Sequence, residues 1–453
     1  MTSLVFRNRL TKSMTYTPPT SEVGLRILYM AGPGDVIGTF QHWRCGEDDP
    51  TQVAMTYSGQ FFEMCRRQGA WAKLIAYHPR RDRVTEEMFD IEHWPMQMER
   101  WRGPMFHLKW YWFSLMVALT AIRQRCDVLV LMSGTHLLPY WIAKLFGKRI
   151  VLTEHCVLWP TNLGRRRLWR VVHALDRAFF QRGADAIISM SQDITAQIDE
   201  LTGGQHGPLS YFVPTYRRQT FAALKPAIHR RRPFRVLYVG RVEPEKGAFA
   251  LLEIAGALKT LGRTDVVLDV AGDGSALPKL RAAIAAQGLE SFVTLHGYCR
   301  RPQLVEAIKE SHVLIVPTKS AMIEGFNKVV VEAVLAQRPF ITSNLCPAVA
   351  YVREAGVEVP ADDVTAYLKA ILHLADDESA YQTHVTAANQ LASQFYDMER
   401  SWSATLWRSL TRADANGQRR QGEEISEPLT EATTVVEPVA PLAGFLQSRS
   451  WRA

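Results

Sequence analysis

Short apolar runs alternate with helix-like stretches along this chain, and the alternation occurs twice. Leu25–Met30, Ala72–Ala76, Val128–Met132, Ile150–Thr153 and Ala186–Met190 read as buried strands. The helical patterns Gln52–Gly69, His107–Arg125 and Leu168–Gly183 lie between them. The alternation restarts with strands Arg235–Val239, Val266–Ala271, Val293–His296, His312–Val316 and Phe340–Ser343. Helices Gly247–Gly262, Ala276–Gly288, Pro302–Glu310 and Phe326–Gln337 separate these. Strands that are apolar throughout and separated by helices require parallel sheets covered on both faces. The pattern predicts an α/β chain of two Rossmann-like, doubly wound domains. Such sheets bind ligands beyond the carboxyl ends of their strands, so two facing edges make a cleft.

The 453 residues fit two such domains, and 47% hydrophobic with 22% charged residues excludes fibrous or wholly disordered chains. Residues 1–23 read as a flexible N-terminus without a signal peptide, and residues 24–214 as the first domain. A Pro-bounded stretch with Arg217, Arg218, Lys225, Arg230, Arg231 and Arg232 reads as a basic linker over 215–232. The second domain is expected over 233–378, and C-terminal helices returning to the first domain over 379–412. Residues 413–453, rich in Glu, Gln, Ser, Thr and Pro, read as a disordered tail. The segment Met105–Ile122 is short for a membrane span and polar at one end, and reads as a buried amphipathic helix. Six scattered cysteines contain no CxxC pair and fit a reducing, cytoplasmic interior. The 53 Lys and Arg against 45 Asp and Glu suit phosphate-bearing ligands, nucleic acid or an anionic membrane face.

Several motifs follow strands. Gly240-Arg241-Val242-Glu243-Pro244-Glu245-Lys246-Gly247 puts two cations on a short loop before a helix, an arrangement suited to a diphosphate. Glu324-Gly325-Phe326-Asn327 opens the helical pattern Phe326–Gln337, and Glu332 lies within it on an otherwise apolar stretch, where a carboxylate needs a partner such as a ribose. A capping Glu324 and a partly exposed Glu332 are the plainer alternative. Ala271-Gly272-Asp273-Gly274 is a strand-end turn. Gly32, Gly34 and Gly38 follow the first strand, without the full dinucleotide fingerprint. His155 follows the strand Ile150–Thr153.

In that order these motifs resemble the retaining family 4 glycosyltransferases of the GT-B fold, most specifically from Phe234 to Asp377. The first domain resembles the family through Gly32–Gly38, through Ile150–His155 and through Phe212-Val213-Pro214. The resemblance implies a nucleotide-sugar donor domain behind an acceptor-binding one. Gly240, Arg241 and Lys246 would hold the donor diphosphate, with Gly272 close by. Glu324 would contact the sugar near the reacting carbon, and the N–H groups of Gly325, Phe326 and Asn327 would face sugar or phosphate. Glu332 would bond the ribose, Tyr298-Cys299-Arg300 would line the base, Gly34 and Gly38 would let the donor approach the backbone, and His155 would lie near the transferred sugar. The pattern is departed from at Asn327-Lys328, where Gly or Pro is common, and at Thr215-Tyr216, where Asn-Gly is common.

The implied activity is retaining transfer of a sugar from a nucleoside diphosphate to an acceptor hydroxyl. Catalytic roles fall to Glu324, Arg241, Lys246 and His155. No metal and no cofactor are expected beyond the donor substrate, since the cations and a helix N-terminus stabilise the leaving charge. The acceptor is expected to be a glycan or lipid-linked intermediate of bacterial polysaccharide synthesis. The stretches Gly46–Tyr57 and Arg80–Pro104 read as long loops. Arg and Trp residues of the second, with Arg165, Arg166, Arg167 and Arg170, suit an anionic inner membrane leaflet. A nucleotide-sugar epimerase, a nucleic-acid-binding protein using the linker, and a catalytically silent scaffold are the alternatives.

Overall fold

The computed structural model describes residues 24–86, 88–96, 101–132, 134–160, 167–322 and 324–415. Its first sheet has eight strands: β1 (Arg26–Pro33), β2 (Trp71–His78), β3 (Asp82–Thr85), β4 (Phe89–Pro95), β5 (Val128–Leu131), β6 (Arg149–Glu154), β7 (Ala186–Ser189) and β8 (Leu209–Tyr211). They run in the order β3-β4-β2-β1-β5-β6-β7-β8, parallel except for β3 against β4. The second sheet is parallel: β9 (Phe234–Val239), β10 (Val266–Ala271), β11 (Val293–Gly297), β12 (Val313–Val316), β13 (Phe340–Ser343) and β14 (Gly356–Val359), in the order β11-β10-β9-β12-β13-β14. Strand order reverses between β1 and β5 and between β9 and β12. A doubly wound sheet opens its ligand crevice at such points.

All ten strands expected from apolar runs are present, within three residues at each end. The stretch Arg80–Pro104 is corrected: it contains β3 and β4. Its charges, which suggest a loop, are an ion-pair network inside the sheet. The buried Lys73 ammonium of β2 lies 2.9 Å from carboxylate oxygens of both Asp90 and Glu92, and Arg83 lies 2.9 Å from Asp90. Gly32–Gly38 is not a continuous loop either. Asp35 caps a helix, Val36–Arg44, by accepting from the Gly38 N–H, so Gly38 sits in a first helical turn. A Cβ on Gly38 would come within 2.5 Å of the Asp35 carboxylate.

Helix boundaries follow their caps. Thr56 starts the helix Tyr57–Gln68, later than the pattern predicts, and Asn327 starts Lys328–Leu335. The helix Pro104–Arg123 is not amphipathic: it buries Phe113, Val117, Ala118 and Ala121 on one side and exposes Leu108 and Trp112 on the other. The last helix, Trp402–Ala415, continues past position 412. It packs on the first half, with the Trp402 ring 5.3 Å from that of Tyr29 and 5.7 Å from that of Tyr57. Among the described residues no helix is long and apolar enough to cross a membrane. The expectations for 1–23, for the tail beyond 415, and for Arg165 and Arg166 lie outside the described residues.

Candidate donor site at the facing sheet edges

Backbone hydrogen bonds lace three motif loops together at the carboxyl edge of the second sheet. The Gly240 N–H donates to Ala271 O at 3.1 Å, Val242 N–H to Asp273 O at 2.9 Å, and Gly272 N–H to Gly297 O at 2.8 Å. The lacing is close enough that a Cβ on Gly272 would sit 1.8 Å from the Gly240 carbonyl oxygen. Gly240 itself needs glycine for its φ of +148°. The Tyr238 hydroxyl donates to Arg241 O at 2.6 Å and fixes the start of the cationic loop. Gly247, at φ +80°, turns the chain into the helix Ala248–Thr260. A Cβ there would meet Pro317 O at 2.0 Å, so this loop lies against the end of β12.

The loop thus lies at the reversal between β9 and β12, and the end of β12 leads to Glu324. The Lys246 ammonium donates to the Glu324 carboxylate at 2.5 Å, and the Asn327 amide donates to the same oxygen at 3.4 Å. Glu324 is therefore not a helix cap; Asn327 is, its side-chain oxygen accepting from the Val329 N–H at 3.1 Å. The Arg241 guanidinium is exposed and has no ion pair among the described residues. Glu324 offsets the charge of Lys246, so Arg241 and the helix N-terminus supply the net positive charge that this crevice offers an anionic ligand.

The first half closes on this crevice at His155. A Cβ on Gly325 would come 1.9 Å from the His155 carbonyl oxygen, so glycine alone permits this approach of the two halves. The His155 ring packs 4.4 Å from the Tyr57 ring and 5.2 Å from that of Phe212. Burial, and secondly the Lys328 ammonium, pull its imidazole down to about 3, so it is neutral. Its Nε2 lies 2.6 Å from the Thr153 hydroxyl, while its buried Nδ1 has no hydrogen-bond partner among the described residues. Such an orphan atom is where a ligand hydroxyl can bind.

Glu332 is 5% exposed, so the partly exposed reading is corrected. Burial pushes its carboxyl up to about 7, against the pull of the Lys328 ammonium and of a hydrogen bond from the Tyr216 hydroxyl. Tyr216 and Lys328 are the two places where the sequence departs from the family pattern, and the fold brings both to Glu332. Lys328 also sets its ammonium 4.8 Å from the centre of the Tyr57 ring. Tyr57 carries no motif that would mark it; only its position against His155 and Lys328 does.

Tyr298 is exposed and Cys299 half-buried at the rim after β11. The stretch Gly46–Tyr57 reaches this rim: Arg301 donates to Gln52 O at 2.8 Å and Asp49 O at 2.5 Å. Phe326 is buried, its ring 5.5 Å from that of Tyr351, so only its backbone is available to a ligand. Gly34, at φ +142°, has open space where a Cβ would be. A cavity of about 100 Å³ between the halves is lined by Val157 and Asp193 on one side and by Ser320, Met322, Glu324 and Asn344 on the other. No cluster of three metal-ligating side chains occurs among the described residues.

Residues 233–377 match the family model of the glycosyl transferases group 1. The matched residues hold the second sheet and carry Arg241, Lys246, Glu324 and Glu332. The chain is 27% identical over 276 residues to a glycogen synthase of Mycobacterium tuberculosis, covering 58% of this chain and 63% of that one. It therefore spans less than two thirds of that relative's length. An α-D-kanosaminyltransferase of Streptomyces kanamyceticus is 28% identical over 274 residues, 57% of this chain and 70% of the other. HepE of Anabaena, solved with UDP and glucose, superposes with a TM-score of 0.59 at 15% identity over 86% of this chain and 99% of its own. That likeness is one of fold: two facing Rossmann-like domains in the GT-B arrangement.

Proposed function

We propose that this protein is a retaining glycosyltransferase that moves a sugar from a nucleoside diphosphate to an acceptor hydroxyl. The observation that carries this reading is the convergence of Lys246, Glu324 and Gly325 at the β9/β12 reversal, against His155 of the opposite half. In the proposed reaction the bond between the anomeric carbon and the diphosphate oxygen breaks. Arg241, Lys246 and the N-terminus of Lys328–Leu335 stabilise the charge that gathers on the leaving group. The acceptor oxygen bonds to the anomeric carbon on the face the diphosphate leaves, and its proton passes to the departing phosphate. Glu324 stabilises the positive character of the sugar ring. His155 Nδ1, neutral and without a partner, accepts from a hydroxyl of the same sugar.

Tyr298, Cys299 and Arg300 are proposed to border the base, and Glu332 to accept from the ribose. Uracil is proposed as that base because HepE was solved with UDP. A glycan or lipid-linked acceptor in polysaccharide assembly, met at the cytoplasmic face of a membrane, fits relatives named for glycogen synthesis and for amylovoran biosynthesis. The arginines of the linker do not favour a nucleic-acid reading. Arg230 pairs with Glu378 at 2.8 Å and Arg231 with Glu310 at 3.0 Å.

Incubation with a panel of nucleotide sugars tests the proposal. Release of the nucleoside diphosphate, with an α-configured product from an α-linked donor by NMR, is expected. Conversion of the donor to its epimer without acceptor, or no melting shift with any nucleotide sugar, overturns it.

A further inference from the structure

Large apolar side chains exposed to solvent are concentrated on one part of the first half. Trp101, Met105, Leu108, Trp112, Leu119, Leu138, Leu145, Phe146, Leu168, Val171 and Leu175 are all exposed, and few others of their kind are exposed elsewhere. Their spacing is ordered. Met105, Leu108, Trp112 and Leu119 fall at i, i+3, i+7 and i+14 of the helix Pro104–Arg123, which places them on one stripe. Leu168, Val171 and Leu175 fall at i, i+3 and i+7 of the helix Arg167–Ala178. Leu145 and Phe146, 84% and 63% exposed, end the short helix between them in sequence. These elements adjoin: the His107 ring lies 5.0 Å from the Trp169 ring, and His107 Nδ1 lies 2.9 Å from His136 Nε2 just before Leu138.

The same segment is the positive part of the chain. Residues 101–183 hold 13 Lys and Arg against 3 Asp and Glu, whereas the other 370 residues hold 40 against 42. Of the three acids, Glu154 and Asp176 are buried. Arg102, Lys109, Arg167, Arg170 and Arg177 are exposed beside the apolar stripes. A helix that is apolar toward the core and apolar toward solvent, bordered by cations, has the chemistry of a surface that lies on lipid. A second copy is disfavoured as the occupant, because it would set two such positive faces together.

We infer that the stripes of Pro104–Arg123 and Arg167–Ala178, with Leu145 and Phe146, dock the protein on an anionic lipid bilayer. The apolar side chains enter the headgroup boundary and the arginines and lysines meet lipid phosphates. Both long helices begin at the carboxyl edge of the first sheet, the edge that carries His155, so the docked face leads toward the cleft. The purpose of this docking, delivery of a lipid-linked acceptor, rests on the proposed transfer; the surface itself does not.

Co-sedimentation of the full chain with vesicles of phosphatidylglycerol and phosphatidylcholine tests it, beside phosphatidylcholine alone. Binding to the anionic vesicles is expected, with part of it persisting at high salt because of the inserted side chains. Leu108→Ser, Trp112→Ser, Leu145→Ser and Phe146→Ser combined should lower the partition at least about tenfold. Unchanged release of nucleoside diphosphate from donor in buffer shows that the variant folds. Leu145→Ser with Phe146→Ser alone is the milder pair should the quadruple variant not fold. Wild-type protein left in the supernatant, or a variant that sediments like wild type, overturns the inference. So does a wild-type dimer in ultracentrifugation that the variant abolishes without vesicle binding. Vesicle binding by a protein that turns over no nucleotide sugar would sink the proposed transfer and leave the docking surface standing.

Discussion

Lys246 and Glu324, 78 residues apart, form a close ion pair at the mouth of the crevice between β9 and β12. One residue belongs to the loop proposed for the diphosphate and the other to the loop proposed for the sugar. In the proposed reaction the pair would set the negative leaving group and the positive sugar ring on opposite sides of one contact. Replacing Lys246 by Ala removes a charge stabiliser of the transition state, and turnover should fall by about 10² or more. Arg241→Ala should act in the same direction. Circular dichroism should show both variants folded, since neither side chain contributes to a core. Wild-type turnover in either one removes the diphosphate assignment.

The two glutamates should separate kinetically. In the proposed role Glu332 would bond the ribose in ground and transition state alike, so Glu332→Gln should mainly raise the donor KM. Glu324→Gln keeps the shape and loses the charge that the proposed reaction sets beside the anomeric carbon, so kcat should fall while the free nucleoside diphosphate binds normally. Calorimetric titration of the nucleotide, with steady-state kinetics, checks both. Identical behaviour of the two variants would show the separate roles to be wrong.

In the proposed reaction the cations of the loop Gly240–Gly247 would take the role that a divalent ion has in metal-dependent transferases. Turnover measured in excess EDTA should therefore stay within about twofold of the untreated rate. Loss with chelator and recovery with Mg²⁺ or Mn²⁺ would contradict the assignment of leaving-group stabilisation to Arg241 and Lys246.

Glu154, at the end of β6, should make stability fall as pH rises. Burial, and secondly Asp176, push its carboxyl up to about 8, and its Oε1 has no hydrogen-bond partner among the described residues. Between the ordinary value of 4.5 and about 8 the folded chain keeps a proton that the unfolded chain has released. Folding is then opposed increasingly as pH rises, and the full stability exists only below that window. Glu154→Gln stays neutral at every pH. It should raise the melting temperature at pH 8 and raise it much less at pH 5; an equal effect at both values would contradict a protonated Glu154.

Much of the donor half was legible because its signals are local. Gly240, Arg241, Lys246, Gly247 and Glu324 sit within short loops directly after apolar strands, so spacing along the chain places them at one sheet edge. Tyr57, Tyr216 and Lys328 were not legible as a group. They come from three separate segments, and nothing along the chain says that they meet around His155 and Glu332. The strands β3 and β4 were hidden for the opposite reason: Asp90 and Glu92 look like loop residues until Lys73 and Arg83 neutralise them across the sheet.

By itself the sequence determined two parallel sheets with helices between the strands, because unbroken apolar strands have to be covered on both faces. It also determined where the cationic and acidic loops fall on the second sheet. Only the tertiary structure decided which charges neutralise one another, since ion pairs such as Lys246 with Glu324 join positions far apart in the chain. It alone decided which side of the helix Pro104–Arg123 meets the core. That helix is apolar all round, so its periodicity points to no single face, and packing against the first sheet chose one side and left Leu108 and Trp112 to solvent.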